Sequence, residues 1–322
     1  ISKMVRTFLF YDLETTGLNK AFDQILTFAG VRTDADLNVI GRHTATISLR
    51  PDVIPSPSAI ITNRISRSQW SAGECEFVAM GRIHQWINEP GTISVGYNSL
   101  GFDDEFLRFS FYRNLLPAYT HQYRNGCRRM DILPMAIMYW LYKPGVLDWP
   151  EVDEKVSMKL EHLAAANNLL EGPAHDASAD AEATLQLARQ LSVHTKMWQY
   201  LEGCFQKEID YRRASQLPVE LESAAGKHYL GLMVASAIGT GCNFQAPVLS
   251  LGDSIAYPNQ SLWLRLDLNE LATTRSDTVD DTTWVIRKRF GEPGILLPPR
   301  QRYWQKLGTE TSHLVQNNIA WL

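Results

Sequence analysis

Cysteine is scarce in this chain of 322 residues, long apolar runs are missing, and positive charge is not in surplus. The four cysteines, Cys75, Cys127, Cys204 and Cys242, are scattered without a Cys-x-x-Cys pair. That argues against a zinc site and fits reduced thiols in a cytoplasm. No apolar run approaches the ~20 residues of a membrane-spanning helix, so no membrane contact is expected. No signal-peptide pattern is visible, and because the first residue is Ile1 rather than Met, further residues ahead of it are expected. Asp and Glu outnumber Lys and Arg 35 to 31, a net charge of −4. Attraction of the whole surface to a polyanion is thereby excluded, and any nucleic-acid contact must come from a local groove. What remains is ordinary for a globular protein: 45% hydrophobic and 20% charged residues, over a length that suits two domains.

The chain is organised around Phe8-Leu9-Phe10-Tyr11-Asp12-Leu13-Glu14-Thr15-Thr16-Gly17-Leu18. Its short apolar and aromatic start, broken by Thr-Thr-Gly, predicts a buried strand ending in a turn. Side chains alternate along a strand, so Asp12 and Glu14 share one face. Two carboxylates packed there repel each other and are costly to desolvate unless a cation joins them. A solvated turn is the bland alternative for any Asp-x-Glu triplet. Two more stretches bear on that choice: Gly96 to Glu105, after the apolar run Thr92 to Val95, and His175 to Asp180, which opens the helix-like run Ala181 to Leu191.

Together the three stretches resemble the motifs of the DEDDh 3′→5′ exonucleases: Asp-x-Glu, Asn-x-x-x-Phe-Asp and His-x-x-x-x-Asp. Asp12, Glu14, Asp103, His175 and Asp180 fall on them in that order. Gly96-Tyr97-Asn98, Phe102-Asp103-Asp104-Glu105 and Phe111-Tyr112-Arg113-Asn114 are similar to the bacterial exonuclease I branch in particular. The likeness spans roughly residues 5 to 205. It implies an α/β fold: a ribonuclease H-like mixed-sheet exonuclease domain over residues 1–195, a connecting helix over 196–222, and a small SH3-like β-barrel domain over 223–322. The branch continues into a helical C-terminal domain, which is expected to be absent or removed here.

Taken in order, Gln24 to Thr33 and Val39 to Leu49 read as strands. Where the family often has Thr-Gly-Ile, this chain has Thr62-Asn63-Arg64-Ile65, and Asn63 is expected to tolerate a positive φ. Phe77, Met80, Ile83 and Ile87 predict a helix face, as do Phe102, Phe106 and Phe109, read as core. Only Asp103 of its acidic triplet matches the motif; Asp104 and Glu105 read as solvated or first-turn residues favoured by the helix dipole. Tyr119, His121, Gln122, Tyr123, Arg124, Arg128 and Arg129 form an aromatic and basic cluster that suits a single strand, or else a polar surface loop. Asp131, ahead of Pro134, reads as an ordinary helix start. Leu262 to Leu268 alternates strictly and predicts a half-buried strand.

The resemblance also assigns substrate contacts to Glu14, Thr15, Arg108, Tyr119, Tyr123 and Lys159, the last replacing an arginine and losing its bidentate fork. It implies single-stranded DNA as substrate, 5′-mononucleotides as product and a role in DNA repair. A further implied partner is the acidic C-terminal tail of single-stranded-DNA-binding protein, at Lys143 and Tyr200, which otherwise read as a solvated lysine and an ordinary helix tyrosine. The protein is expected to be a cytoplasmic monomer. In chemical terms, four carboxylates balance two divalent ions, which would sit about 3.5–4 Å apart, and oxygen ligands favour Mg2+, with Mn2+ as a substitute. Asp12, Glu14, Asp103 and Asp180 are the metal ligands in this reading, and His175 takes the proton of the attacking water. A DEDDh ribonuclease, a proofreading exonuclease and an inactive nucleic-acid-binding module remain the alternatives.

Overall fold

The computed structural model describes residues 5–64, 66–169, 176–257 and 259–322. They form two compact units, the first within residues 1–133 and 145–198, the second within 134–144 and 199–322. His175, Ile65 and the Gly172-Pro173 break lie outside the described residues.

In the first unit, β1 (Thr7–Thr15), β2 (Ile25–Thr33), β3 (Val39–Thr46), β4 (Thr92–Gly96) and β5 (Arg128–Asp131) form one sheet in the order β3-β2-β1-β4-β5. The β1–β2 and β2–β3 pairs are antiparallel, and β1–β4 and β4–β5 are parallel. This is the mixed sheet the resemblance implies. Its helices are α1 (Pro57–Asn63), α2 (Arg67–Ser71), α3 (Glu76–Ile87), α4 (Asp103–Arg113), α5 (Ile132–Tyr142), which leads into the second unit, α6 (Leu160–Ala166) and α7 (Ala177–Ser192).

As the central strand, β1 is apolar on both faces. Leu9, Tyr11 and Leu13 pack with Met80, Ile83 and Ile87 of α3 and Phe106, Leu107 and Phe111 of α4. Helix α7 lies against β1 and β2 and buries Ala181, Leu185 and Ala188 completely. The aromatic spacing in α3 misleads at one position: Phe77 is 62% exposed. The buried stripe is Glu76, Ala79, Met80, Ile83 and Ile87, the i, i+3, i+4 rule of a 3.6-residue turn. Glu76 enters that stripe because Arg50 and Arg113 neutralise it, at 3.1 and 2.6 Å.

A small hairpin, β6 (Glu151–Val152) and β7 (Lys155–Val156), precedes α6. Helices α8 (Thr195–Glu202) and α9 (Lys207–Ser215) follow α7. The second unit then has β8 (Val219–Ser223), β9 (Gly226–Val234), β10 (Gln245–Asp253), β11 (Gln260–Arg265), β12 (Val285–Arg289) and β13 (Ile295–Leu297). They pair in the order β12-β11-β10-β9-β13, with β8 also on β9. This is a C-terminal sheet domain; among the described residues its pairing is an open path rather than the closed barrel expected from the resemblance. Three short helices complete it: α10 (Val279–Thr282), α11 (Gln301–Trp304) and α12 (Thr309–Trp321).

Strand β11 is not half-buried. Trp263 joins one core with Met233 and Val248, while Leu264 joins another with Leu266 and Val315 of α12. Helix α12 covers the leucine face, and the Trp263 face, which was expected to be wet, is closed by the core around Met233 and Val248. Arg265 is 3% exposed; it fits inside because Asp267 pairs with it at 2.6 Å and it lies 4.4 Å over the Trp284 ring. Among the described residues no helix is long and apolar enough to cross a membrane.

Candidate active site

The parity of β1 places Asp12 and Glu14 on the face covered by α7, and Asp180 stands in the first turn of that helix. Ligand oxygens of these three residues all lie within 4.8 Å of one another. Asp103, the first residue of α4, is buried at the end of the loop that follows β4. It stands outside that trio but within electrostatic reach of Asp12.

These carboxyls do not ionise easily. Burial raises Asp12 well above the usual range, and the charges of Asp103, Asp180 and Glu14 add to it. Burial likewise raises Asp103, with Asp131, Glu14 and Asp104 contributing and a backbone hydrogen bond opposing. Glu14 is raised to about 8, by burial first and then by Asp180 and Asp176, against a hydrogen bond from Asn63. A cluster of acids that resist ionisation, with oxygen as its donor, is a site whose energy falls when a hard divalent cation enters.

The surroundings hold β1 in place. The register slips between Glu14 and Thr15, and the chain turns at Gly17, where a Cβ would meet the Asp23 carboxylate at 2.5 Å. Asp23 accepts from the Thr16 hydroxyl at 2.9 Å and from the Asn19 amide at 2.8 Å. Thr15 is buried, and its hydroxyl donates to the Gly17 carbonyl at 2.8 Å, so its side chain is committed to the turn. Its carbonyl accepts from Asn63 Nδ2 at 3.0 Å. Asn63 is the last residue of α1, and the positive φ expected there falls on Arg64 instead, at 52°. A cleft of about 530 Å³ opens beside Glu14, lined also by Thr27, Thr46, Asn63, Gln69 and Asp176.

Two acids near the site were not picked out from the sequence. Asp176 caps α7, accepting from Ser178 and Ala179 amides at 2.9 and 3.2 Å, and its charge raises both Asp12 and Glu14. An Asp just ahead of a helix run was its signal. Asp131 does cap Leu133, at 3.0 Å, but it also accepts from the Asn98 and Leu100 amides at 2.8 and 3.2 Å. It thereby holds the loop that delivers Asp103, including Asn98 at φ 57°. Burial pushes Asp131 up to about 6, with those amides opposing.

Asp104 stands in the first turn of α4, one of its two expected places, and the other is corrected. It is wholly buried, not solvated. His121 Nε2 lies 2.9 Å from Oδ1, and Gln122 Nε2 and Arg129 donate to Oδ2 at 3.1 and 2.7 Å. His121, Gln122 and Arg129 therefore turn inward instead of offering themselves to a strand. Glu105 pairs with Arg108. Of the other members, Tyr119 is 50% and Tyr123 70% exposed, Arg124 is exposed and Arg128 is half-buried in β5. Arg108 donates to the Tyr119 hydroxyl at 3.1 Å, with its guanidinium 4.7 Å from the Phe109 ring centroid.

Lys159 is exposed and lies 3.5 Å from Glu161. In the second unit, exposed Lys143 follows α5, and Tyr200 of α8 lies under the Arg213 guanidinium, 4.0 Å from its ring centroid. His175 is outside the described residues.

Residues 9–188 match a family model described as Exonuclease. The chain is 36% identical over 204 residues to Exodeoxyribonuclease I of Escherichia coli K12 and 35% identical over 216 residues to that of Haemophilus influenzae. Those matches cover 62% and 64% of this chain but 43% and 45% of the relatives, so the chain spans less than half of their length in sequence. In structure, 97% of this chain and 70% of the other superpose on E. coli exonuclease I in complex with a dA16 oligonucleotide, at 27% identity and a TM-score of 0.84. An ExoI/SSB-Ct complex matches over 98% and 70%, at 25% identity and a TM-score of 0.86. With a family match over more than half of its length, carried by the strand, loop and helix that bear the clustered acids, the chain belongs to the exonuclease family.

Proposed function

We propose that this chain hydrolyses single-stranded DNA from the 3′ end and releases 5′-mononucleotides, in DNA repair or recombination. One observation carries the reading: Asp12, Glu14 and Asp180 bring ligand oxygens within 4.8 Å of one another in an exonuclease-family domain. The oxygen donors of all three, and the resistance of Asp12 and Glu14 to ionisation, fit two Mg2+ ions, with Mn2+ as a substitute, held by Asp12, Glu14, Asp180 and, mainly through water, Asp103. Such ions supply an activated water and neutralise the phosphate and the leaving oxygen. The chain's own part is to hold the strand and move the proton. Arg108, Tyr119, Tyr123 and Lys159 hold the strand, and neutral His175 accepts the proton of the attacking water. The relatives are named for exonuclease I and the matched structures include oligonucleotide complexes, which favours DNA over RNA.

Lys143 and Tyr200 are proposed to take the acidic tail of single-stranded-DNA-binding protein, the lysine for its carboxylate and the tyrosine for its aromatic side chain. An ExoI/SSB-Ct complex among the matched structures supports this. Four free cysteines support a reducing compartment, the cytoplasm.

The test uses 5′-labelled single- and double-stranded DNA and RNA, in magnesium or EDTA. Stepwise shortening of single-stranded DNA from the 3′ end in magnesium alone is the expected result; internal cuts, or digestion in EDTA, overturn the reading. In the same assay Asp12→Asn and Asp180→Asn should abolish cleavage with melting temperature equal or higher, since each removes a repelling charge. Near-normal activity in either variant would overturn the metal assignment.

A further inference from the structure

Asp104 and its partners are a buried group that the proposed chemistry does not use. The α4 N-terminus has no side-chain cap, because Phe102 stands at that position. Asp103 and Asp104 open the helix, and consecutive helix residues point about 100° apart. One therefore faces the acidic cluster and the other faces the 119–129 segment. The Asp104 carboxylate is 0% exposed and is met by His121, Gln122 and Arg129. Burial alone would raise its pKa, but the His121 hydrogen bond and the Arg129 charge bring it below the usual carboxylate range. The geometry is that of an acceptor: Gln122 and Arg129 both donate to Oδ2, and Nε2 of His121 faces Oδ1. Nδ1 of His121, also buried, has no hydrogen-bond partner. His121 sits edge-on to Phe111 of the same helix, with centroids 5.8 Å apart.

His121 and Gln122 lie between Tyr119 and Tyr123 in the chain, the two rings that stay exposed. One turn along α4 from Asp104, Arg108 reaches the Tyr119 hydroxyl at 3.1 Å. Both exposed rings and the metal-site residue Asp103 are thus referenced to the same two turns of one helix. A buried ion pair adds little net stability over an apolar replacement, whereas it does fix geometry.

We propose that Asp104 is a positioning residue, which holds the Tyr119–Tyr123 segment at a fixed offset from Asp103 so that a strand stacked on those rings reaches the carboxylates in register. The inference rests on the single-strand reading above. It assigns Asp104 to the grip on nucleotides beyond the terminal one, and gives it no part in the bond-breaking step.

Asp104→Asn keeps the size of the side chain and removes its charge. Two substrates separate the roles: a single-stranded oligonucleotide, and the p-nitrophenyl ester of thymidine 5′-monophosphate, which offers one nucleotide only. Binding of the labelled oligonucleotide in EDTA should weaken roughly tenfold, the order of one lost base stack. KM for the oligonucleotide should rise in step, while kcat on the ester stays within about threefold of the parent protein. Added to Tyr119→Ala/Tyr123→Ala, Asp104→Asn should cause little further loss of binding. An equal fall on both substrates would make Asp104 part of the metal site's own support, and an unchanged oligonucleotide affinity would make it a spectator; either overturns the inference. Should Asp104→Asn not fold, Gln122→Ala removes only one donor and must show the same split in weaker form. If the parent protein hydrolyses neither substrate, the functional reading fails, and the EDTA binding comparison still decides the inference.

Discussion

Glu14 carries its function in its resistance to ionisation. Burial, Asp180 and Asp176 raise its carboxyl to about 8, against about 4.3 in an unfolded chain. A group whose folded pKa is raised binds its proton more tightly when folded. Its contribution to stability is therefore complete below the unfolded value and is lost as pH rises through about 8. Asp12 and Asp103 shift in the same direction. In EDTA the melting temperature should accordingly fall between about pH 6 and pH 8.5. Glu14→Gln should flatten that slope, and magnesium should restore stability most at the alkaline end. Melts that rise across this range in EDTA, or a slope that Glu14→Gln leaves unchanged, would show that the acids are not strained against one another.

At the scale of elements, β5 is tied through two aspartates to the loop and the helix that carry Asp103. Asp131 meets the Asn98, Leu100 and Leu133 amides, and Asp104 meets Arg129 of β5. Removing an acceptor that serves several buried donors costs more than one average hydrogen bond, about 2–4 kcal/mol in all. Asp131→Ala should therefore lower stability by about that amount and reduce nuclease turnover, since the loop leading to Asp103 loses its anchor. Chemical denaturation together with the oligonucleotide assay checks it; full activity with unchanged stability would contradict the role. Of these roles only the helix start at Asp131 was legible in the sequence, through its bond to the Leu133 amide. The other partners of Asp131 lie some thirty residues upstream, those of Asp104 seventeen to twenty-five downstream, and no local pattern records such pairings. The same blindness applies to Glu76, a charge inside an apolar stripe, and to β11, where polar Arg265 marks as wet a position that Asp267 and Trp284 seal. What could be read were features carried by short-range chemistry. The parity of Asp12 and Glu14, the break at Gly17 and the apolar face of α7 are set by neighbours within a few residues, and so are β1 to β4; β5, which carries Arg128 and Arg129, was read as part of the aromatic and basic cluster. Whether the second sheet closes is set by pairings between distant strands, which explains why β11 was legible as a strand and the closure of its sheet was not.

At the scale of the whole molecule, the net charge of −4 means that a DNA strand meets no general attraction. Affinity must come from a few local cations and from stacking, and those two sources respond differently to salt. Of the cations near the exposed rings, Arg108 is partly neutralised by Glu105, while Arg124 is exposed. Lys159, elsewhere in the first unit, is exposed and only loosely paired with Glu161, at 3.5 Å. Contact with two or three phosphates gives a slope of log affinity on log salt of about −1.4 to −2.1, at about 0.7 per phosphate on a single strand. Lys159→Ala should make that slope shallower by about 0.7, because it removes one released counterion. Tyr123→Ala should lower affinity by about 1–3 kcal/mol and leave the slope unchanged, because stacking releases none. Anisotropy titrations of a labelled oligonucleotide in EDTA, between about 50 and 200 mM salt, separate the two effects. A parent slope steeper than about −4 would require more phosphate contacts than Arg108, Arg124 and Lys159 can make, and would place the main DNA contact on another part of the protein.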